Sequence, residues 1–550
     1  MPADTSSHAA ADGGWSVETI QSLVVAFVIA MAFRSYVLEG FVIPTGSMAP
    51  TLMGSHIRLR SPQTGYEFPV DADAVAMSAM NRQGQIELDR PLPIRDPMID
   101  PQLEVAQEPV RSLRDQIRFG DRVLVLKSLY PFIAPKRWDV VVFKNPTDPI
   151  GDAQNYIKRL VGLPGEDLLI VDGDIFTGPP GSSAAGMHIE RKPEHVQRAV
   201  WQDVESMDWQ PIDPARIDQL NRRPWRGVPW ISPGWTAGAG GSDRRTLEWS
   251  TSAATTLSWD FSRRPIIDWN SYNMFRDPPS RGFALQHMAV SDLRISAALA
   301  AANPEALATR LELSTRGHVF TFELARGQAT ISIRREGEDA VRSSAAAPWA
   351  PPGAGKAVEL EFWAVDQALS IFANGSRLVD LEYDWTVGER VPLSFNGTSL
   401  ADYSRAPGSA MPSPPRIAWT FEGSPVTLRR LRLDRDIYYR QGILSDREQF
   451  RSNGPTISGL YNATDPDHPC ALDADHYLML GDNSAASRDG RAWGRPHPLV
   501  LEQIGDDTPF LVHRKLLLGK ACAVYFPSPL PLGESGRKLI PDFGRLRFIR

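Results

Sequence analysis

Along most of this chain, apolar residues come in short, often β-branched runs closed by Gly, Pro, Asn or Asp. That is the patterning of strands and turns rather than long helices. The exception is Leu23 to Phe33, an unbroken apolar run of eleven residues. A membrane-spanning helix needs about 20 mostly apolar residues. Extending the run back through Ile20 and Val17 supplies the length but takes in Glu18, Thr19, Gln21 and Ser22. No small-residue cleavage pattern follows it, so the run predicts an uncleaved transmembrane anchor over 15–38. Residues 1–14 are small and polar and predict a disordered tail.

Four strands are predicted after Gly120: Asp121 to Lys127, Arg137 to Phe143, Asn155 to Val161 and Leu168 to Val171. They form a meander with its turn at Gly162-Leu163-Pro164-Gly165. The interval 53–115 is polar and proline-rich, and Ser61 to Tyr66 within it predicts a surface hairpin. Residues 175–436 hold tryptophan-rich loops over 201–270, then short strands at Arg310 to Ser314, His318 to Leu324, Ala329 to Arg334, Val358 to Ala364, Ala368 to Ala373 and Arg377 to Tyr383. Asn374-Gly375 is a hairpin signal. The spacing predicts an inserted antiparallel β-sandwich of jelly-roll or lectin-like type, read as a spacer or docking module ahead of sugar binding. Strands resume at His476 to Leu480 and Gly519 to Phe526. The predicted fold is mainly β: a catalytic core split into 39–174 and 437–550 around the insertion.

Composition narrows the function. A length of 550 residues suggests two or three domains. The net charge of −6 gives no basic footprint for nucleic acid. Two cysteines, Cys470 and Cys522, are too few for a zinc ribbon, and their pairing stays open. The basic tail Gly544 to Arg550 is read as solvated.

Three stretches carry candidate chemistry. Phe41-Val42-Ile43-Pro44-Thr45-Gly46-Ser47-Met48-Ala49-Pro50-Thr51-Leu52 predicts a stiff, exposed turn presenting one hydroxyl. Tyr156-Ile157-Lys158-Arg159-Leu160-Val161 places a lysine in an otherwise apolar strand. Gly481-Asp482-Asn483-Ser484-Ala485-Ala486-Ser487-Arg488-Asp489-Gly490-Arg491 gathers hydroxyls, acids and arginines behind a strand. A serine nucleophile needs a base. No histidine sits in these stretches, and a lysine serves only if burial lowers its pKa by several units. Strand alternation would turn Arg159 away from Lys158.

In this order, behind an apolar N-terminal run, the three stretches resemble the signature boxes of type I signal peptidase, the membrane-bound serine–lysine endopeptidase. The resemblance covers roughly residues 15–52, 116–172 and 470–550 and leaves the middle uncovered. It implies a signal-peptidase-type β-barrel core with Ser47 as nucleophile and Lys158 as general base. Ser487 would hold the lysine amine, and Thr45 would join the Ser47 N–H as oxyanion donor. Asp482, Asp489 and Arg491 would brace the site through ion pairs with Arg159 and Arg137. Phe41, Ile43, Met48, Leu52, Tyr156 and Ile157 would line shallow apolar pockets. Ser484 departs from the arginine the family often has there.

The resemblance further implies removal of signal peptides from secretory pre-proteins after small residues (A-x-A), with no metal or cofactor. The enzyme would be single-pass in the inner (cytoplasmic) membrane with its catalytic domain extracytoplasmic. The nearby basic residues Arg34, Arg58 and Arg60 all follow the apolar run, and by the positive-inside tendency would put that side in the cytoplasm. The alternatives are a self-cleaving repressor-type serine–lysine peptidase, against which the anchor speaks, and an inactive anchored scaffold whose sandwich binds a protein or glycan partner.

Overall fold

The β-branched runs around the second candidate stretch pair into one antiparallel sheet. The structure is a computed structural model. It describes residues 13–127, 129–130, 132–147, 155–238, 243–276, 287–405, 410–445, 448, 459–532 and 538–549. The core strands are β1 (Leu38–Val42), β2 (Arg122–Leu126), β3 (Val140–Lys144), β4 (Asn155–Gly162), β5 (Glu166–Val171), β6 (Asp174–Gly178), β7 (Cys470–Leu472), β8 (His476–Leu480) and β9 (Leu517–Phe526). The main sheet runs β1-β2-β9-β3-β4-β8 and ends on Val512–His513. Chain-distant strands therefore alternate: β9 lies between β2 and β3, and β8 pairs with β4 through Leu480↔Arg159. A smaller sheet runs His188–Ile189, β6, β5, β7, so the chain that departs near residue 189 is rejoined at residue 470 by strand pairing. The four expected strands form, with ends shifted by a few residues, but not as a meander: β9 separates β2 from β3, and β5 belongs to the smaller sheet.

Helix α1 (Gly13–Tyr36) covers the apolar run, and Leu23 and Phe27 on it are 70% and 65% exposed. Among the described residues no helix is long and apolar enough to cross a membrane. This corrects the transmembrane reading of 15–38. The apolar run is short, and the polar residues that extend it to spanning length dilute it. The helix also begins at Gly13, inside the segment expected as tail, while residues 1–12 lie outside the described residues.

The interval 53–115 is better ordered than its pattern promises. Strands His56–Arg60 and Glu67–Asp71 form the predicted hairpin, closed by Ser61 N–H to the Tyr66 carbonyl at 2.9 Å. Ile57, Phe68, Val75, Leu92 and Leu113 then build a core shared with Ile217, Trp269 and Met274 from far along the chain.

Between residues 202 and 435, two antiparallel sheets bury one common cluster. The first contains Leu293–Ala301, Ala357–Val365, Ala368–Ala373, Ser376–Glu382 and Val426–Arg435; the second contains Ala308–Thr315, His318–Ala325, Gln328–Arg335 and Arg416–Glu422. Phe362 of the first meets Phe322 and Trp419 of the second, with ring centroids 5.7 and 5.4 Å apart. Asn374 and Gly375 both adopt positive φ, and the hairpin register pairs Ala373 with Ser376, the geometry of a two-residue hairpin turn. The tryptophans expected in loops instead fill cores: Trp230, Trp259 and Trp269 are buried.

The two parts of the chain are joined by buried charge. Asp172 and Asp174 of the core meet Arg316 and Arg390, while Lys192 lies 2.6 Å from Asp366 and 2.8 Å from Asp436. The C-terminal segment docks as well, correcting the solvated-tail expectation. Arg547–Phe548 pairs with β9, Arg545 sits 3.2 Å from the buried Asp121 carboxylate, and Arg547 donates to the Thr51 carbonyl.

Candidate active site

Ser47 sits in a single 3-10 turn, Gly46–Met48, whose flanking chain is clasped by Asp121: Ile43 N–H donates to the Asp121 carbonyl and Met53 N–H to its carboxylate, both at 2.9 Å. The Ala49–Pro50 peptide bond is cis. The turn was expected to be exposed, yet Ser47 is only 8% exposed. Its cover comes from two places. Asn483 donates through its backbone N–H to the Ser47 carbonyl at 3.1 Å and through Nδ2 to the Gly46 carbonyl at 2.9 Å. The Tyr272 ring fills the space left by Gly46, where a Cβ would come within 2.0 Å of it.

Lys158 reaches this turn from β4. Its Nζ lies 2.6 Å from Ser47 Oγ and 3.2 Å from the Ile157 carbonyl, and the side chain is buried. By strand alternation it shares a face with Tyr156, whose ring centroid is 5.1 Å from Nζ, and cross-strand it pairs with Val141. Burial lowers its pKa to about 8. Asp489 and Asp482 pull it back upward through space, and Arg491 adds to the lowering. Those acids are already engaged. Asp482 takes a two-pronged ion pair from Arg159 at 2.8 and 2.7 Å, and Asp489 pairs with Arg491 at 2.8 Å. Arg159 points away from Lys158 as strand alternation requires, and is itself fully buried.

Three expectations need correction. Arg137 does not brace Asp482 or Asp489; it pairs with Glu166 at 2.7 Å and Glu190 at 3.2 Å beside the smaller sheet. Ser487 does not hydrogen-bond Lys158: its Oγ is buried without a hydrogen-bond partner among the described residues, close against Gly481, where a Cβ would fall 2.1 Å from that oxygen and 2.5 Å from the Ser47 carbonyl. The pocket reading also changes. Ile43, Met48, Leu52 and Ile157 are packed into a closed cluster with Val123, Val140 and Val142, Phe41 resting against it, because apolar side chains on the sheet's inner face find one another. The open cavity beside the turn, about 450 Å³, is instead bordered by Pro50, Met53, Trp201, Trp269 and Arg547, with Leu52 the one expected lining residue at its edge.

Thr45 Oγ1 stands 3.5 Å from Ser47 Oγ on the exposed side of the turn. Ser484, where an arginine was expected, accepts from Arg491 Nη1 and from Arg440 N–H at 2.8 Å each. Both cysteines are free, and burial pushes Cys470 up to about 12. For a metal, the candidate donors are the buried Asp174, Asp292, Asp366 and Asp436, whose oxygens lie within 4.8 Å of one another. Lys192, Arg316 and Arg390 already supply positive charge to them.

Sequence reasoning gave Asn483 no role and did not reach Tyr272 or Asn273. Asn483 is visible only as part of Gly-Asp-Asn. Asn270-Ser271-Tyr272-Asn273 reads as a turn, and nothing local ties that turn to residue 47.

Residues 102–198 match the signal peptidase family, peptidase S26. The matched stretch holds Lys158 and Arg159 and includes neither Ser47 nor residues 481–491. A probable signal peptidase I-2 of Synechocystis sp. is 35% identical over 72 residues, 12% of this chain and 32% of that protein. Signal peptidase I of Pseudomonas fluorescens is 30% identical over 151 residues, 27% of this chain and 33% of that protein. Signal peptidase I of Pseudomonas aeruginosa is 37% identical over 78 residues, 12% of this chain and 26% of that protein. The chain thus spans about a third or less of these relatives. Among solved structures, a carbohydrate-binding module, CBM66 of Bacillus subtilis, aligns with 38% of this chain and 97% of its own at 8% identity and a TM-score of 0.22, too low to carry an argument. By its sequence matches, this chain is similar to the signal peptidase family, peptidase S26, over residues 102–198, and to signal peptidase I of the two Pseudomonas species over part of its length.

Proposed function

We propose that the chain is a serine endopeptidase that removes signal peptides from secretory pre-proteins, with Ser47 as nucleophile and Lys158 as general base. The observation that carries this reading is the 2.6 Å approach of a buried, pKa-lowered amine to a serine hydroxyl. The neutral amine takes the Ser47 proton as Oγ attacks the scissile carbonyl carbon. The tetrahedral oxyanion accepts from the Ser47 N–H and from Thr45 Oγ1; one such donor is worth about 10²–10³ in rate. The Lys158 ammonium then protonates the leaving amine, the C–N bond breaks, and an acyl-enzyme remains. Water, deprotonated by Lys158, attacks that ester and frees Ser47. The Ser487 hydroxyl, buried and without a hydrogen-bond partner among the described residues, is left outside this scheme.

The substrate segment is read as an added strand on β1. β1 ends the sheet, pairs only with β2 among the described residues, and leads directly into the Ser47 turn. The closed packing of Met48, Leu52 and Ile157 beneath the turn favours small side chains near the cut, hence the A-x-A preference. Membrane association is assigned to the exposed apolar side chains of α1. The two sheets between residues 202 and 435 are read as an inserted β-sandwich.

The test is cleavage of a purified pre-protein by the full chain in detergent, with the cut site identified by mass spectrometry. Cutting after a small residue, and none by Ser47→Ala, is the expected result. Cleavage by Ser47→Ala at the wild-type rate would end this reading.

A further inference from the structure

The nucleophile turn is held partly from outside the catalytic sheet, by a short turn at Ser271–Asn273 that lies beyond the matched residues 102–198. Asn270 caps this turn by accepting from Tyr272 N–H at 2.9 Å. Tyr272 is fully buried, its ring lies against Gly46, and its hydroxyl donates to the Ser55 carbonyl at 3.0 Å. Asn273, 1% exposed, forms a reciprocal amide pair with Asn483. Asn273 Nδ2 donates to Asn483 Oδ1 at 2.7 Å, and Asn483 Nδ2 donates to Asn273 Oδ1 at 3.0 Å.

This pair fixes which way the Asn483 amide faces. With its oxygen held by Asn273, the Asn483 NH₂ points one hydrogen at Asn273 and the other at the Gly46 carbonyl, 2.9 Å away. The Gly46 carbonyl and the Ser47 N–H belong to one planar trans peptide unit and point in opposite directions. Anchoring the carbonyl therefore aims the N–H. That N–H is the backbone oxyanion donor of the mechanism above, and preorganised donors act only when aimed at where charge develops.

We propose that Asn273 is a positioning residue for the reaction: through Asn483 and the Gly46 carbonyl it orients the Ser47 N–H toward the oxyanion. The proposal rests on the Ser47–Lys158 reading and extends it, making residues 271–273 part of the peptidase machinery rather than of a separate module.

The experiment measures kcat and KM for pre-protein cleavage by wild type, Asn273→Ala, the near-isosteric Asn273→Asp, Asn483→Ala and the Asn273→Ala/Asn483→Ala double variant, with Ser47→Ala as control. Thermal unfolding is followed for each. Both Asn273 variants should lower kcat roughly tenfold, a fraction of what losing a whole donor removes, with KM and the pH profile unchanged. The double variant should be no slower than Asn483→Ala alone, because Asn273 acts only through Asn483. Wild-type kcat in both Asn273 variants would overturn the proposal, as would effects of the two residues that multiply. Loss of the folding transition in both variants would make the role structural and overturn it too. Full cleavage by Ser47→Ala would instead indict the underlying reading.

Discussion

Among the described residues the side chains of Lys158 and Lys192 are both buried, and they face opposite ways electrostatically. Lys192 lies between Asp366 at 2.6 Å and Asp436 at 2.8 Å, and its pKa stands well above the ordinary lysine range because those carboxylates outweigh the desolvation. Lys158 is as deeply buried and has two aspartates in its neighbourhood, yet its pKa is lowered to about 8. The difference lies in who holds the acids. Around Lys158, Asp482 is taken by Arg159 and Asp489 by Arg491, so the amine is left with a serine hydroxyl, a carbonyl and a tyrosine ring. Burial alone therefore does not make a lysine into a base. Burial with every nearby carboxylate already claimed is what leaves the Lys158 pKa lowered.

Exchanging the roles of the two lysines breaks the comparison most sharply. Lys158→Ala should slow pre-protein cleavage by about 10²–10⁴ or more, the usual worth of a positioned base, while leaving the unfolding temperature close to wild type. Lys192→Met should do the reverse. Cleavage by the folded enzyme should persist, but two buried carboxylates lose their cation, which costs about 3–5 kcal/mol of stability by chemical denaturation. Burial already lifts Asp366 to about 6. A carboxyl raised in the folded state destabilises it as pH climbs past the ordinary carboxylate range, so the Lys192→Met deficit should grow between pH 5 and 8. The smallest effect is expected at Ser487. Ser487→Ala removes a hydroxyl that bonds nothing among the described residues, and should slow cleavage by about tenfold or less, within the range of one neutral hydrogen bond.

The strands around Lys158 were readable because their residues leave little choice. Val140 to Phe143 and Tyr156 to Val161 are β-branched and apolar, and Lys158 stands out there as the one amine. Arg159 was foreseen to turn away, and the partner that lets it be buried, Asp482, lies in another of the quoted stretches. The hairpin at Asn374-Gly375 was legible for the same local reason. What escaped was everything set by distant chain. The strands Leu293–Ala301 and Val426–Arg435 carry too many alanines and arginines to signal burial, yet they pair along most of their length. The interval 53–115 looked weak because part of its core, Ile217, Ile267, Trp269 and Met274, is supplied from elsewhere. The cover over Ser47 escaped for that reason too: no pattern near Gly46 announces that a ring from residue 272 will occupy the space its missing side chain leaves.

The central claim is that the Lys158 amine is the proton acceptor for Ser47, and the pH dependence of single-turnover cleavage tests it most directly. With the folded pKa near 8, the active, neutral amine accumulates as pH rises through that value. Stability should rise too between about pH 8 and the ordinary lysine range, where the unfolded chain still holds the proton and the folded one has released it. The account predicts that the cleavage rate climbs along a single ionisation centred near pH 8 and then levels off. A rate that is already flat from pH 6 upward, or one that rises only above pH 10, would contradict it.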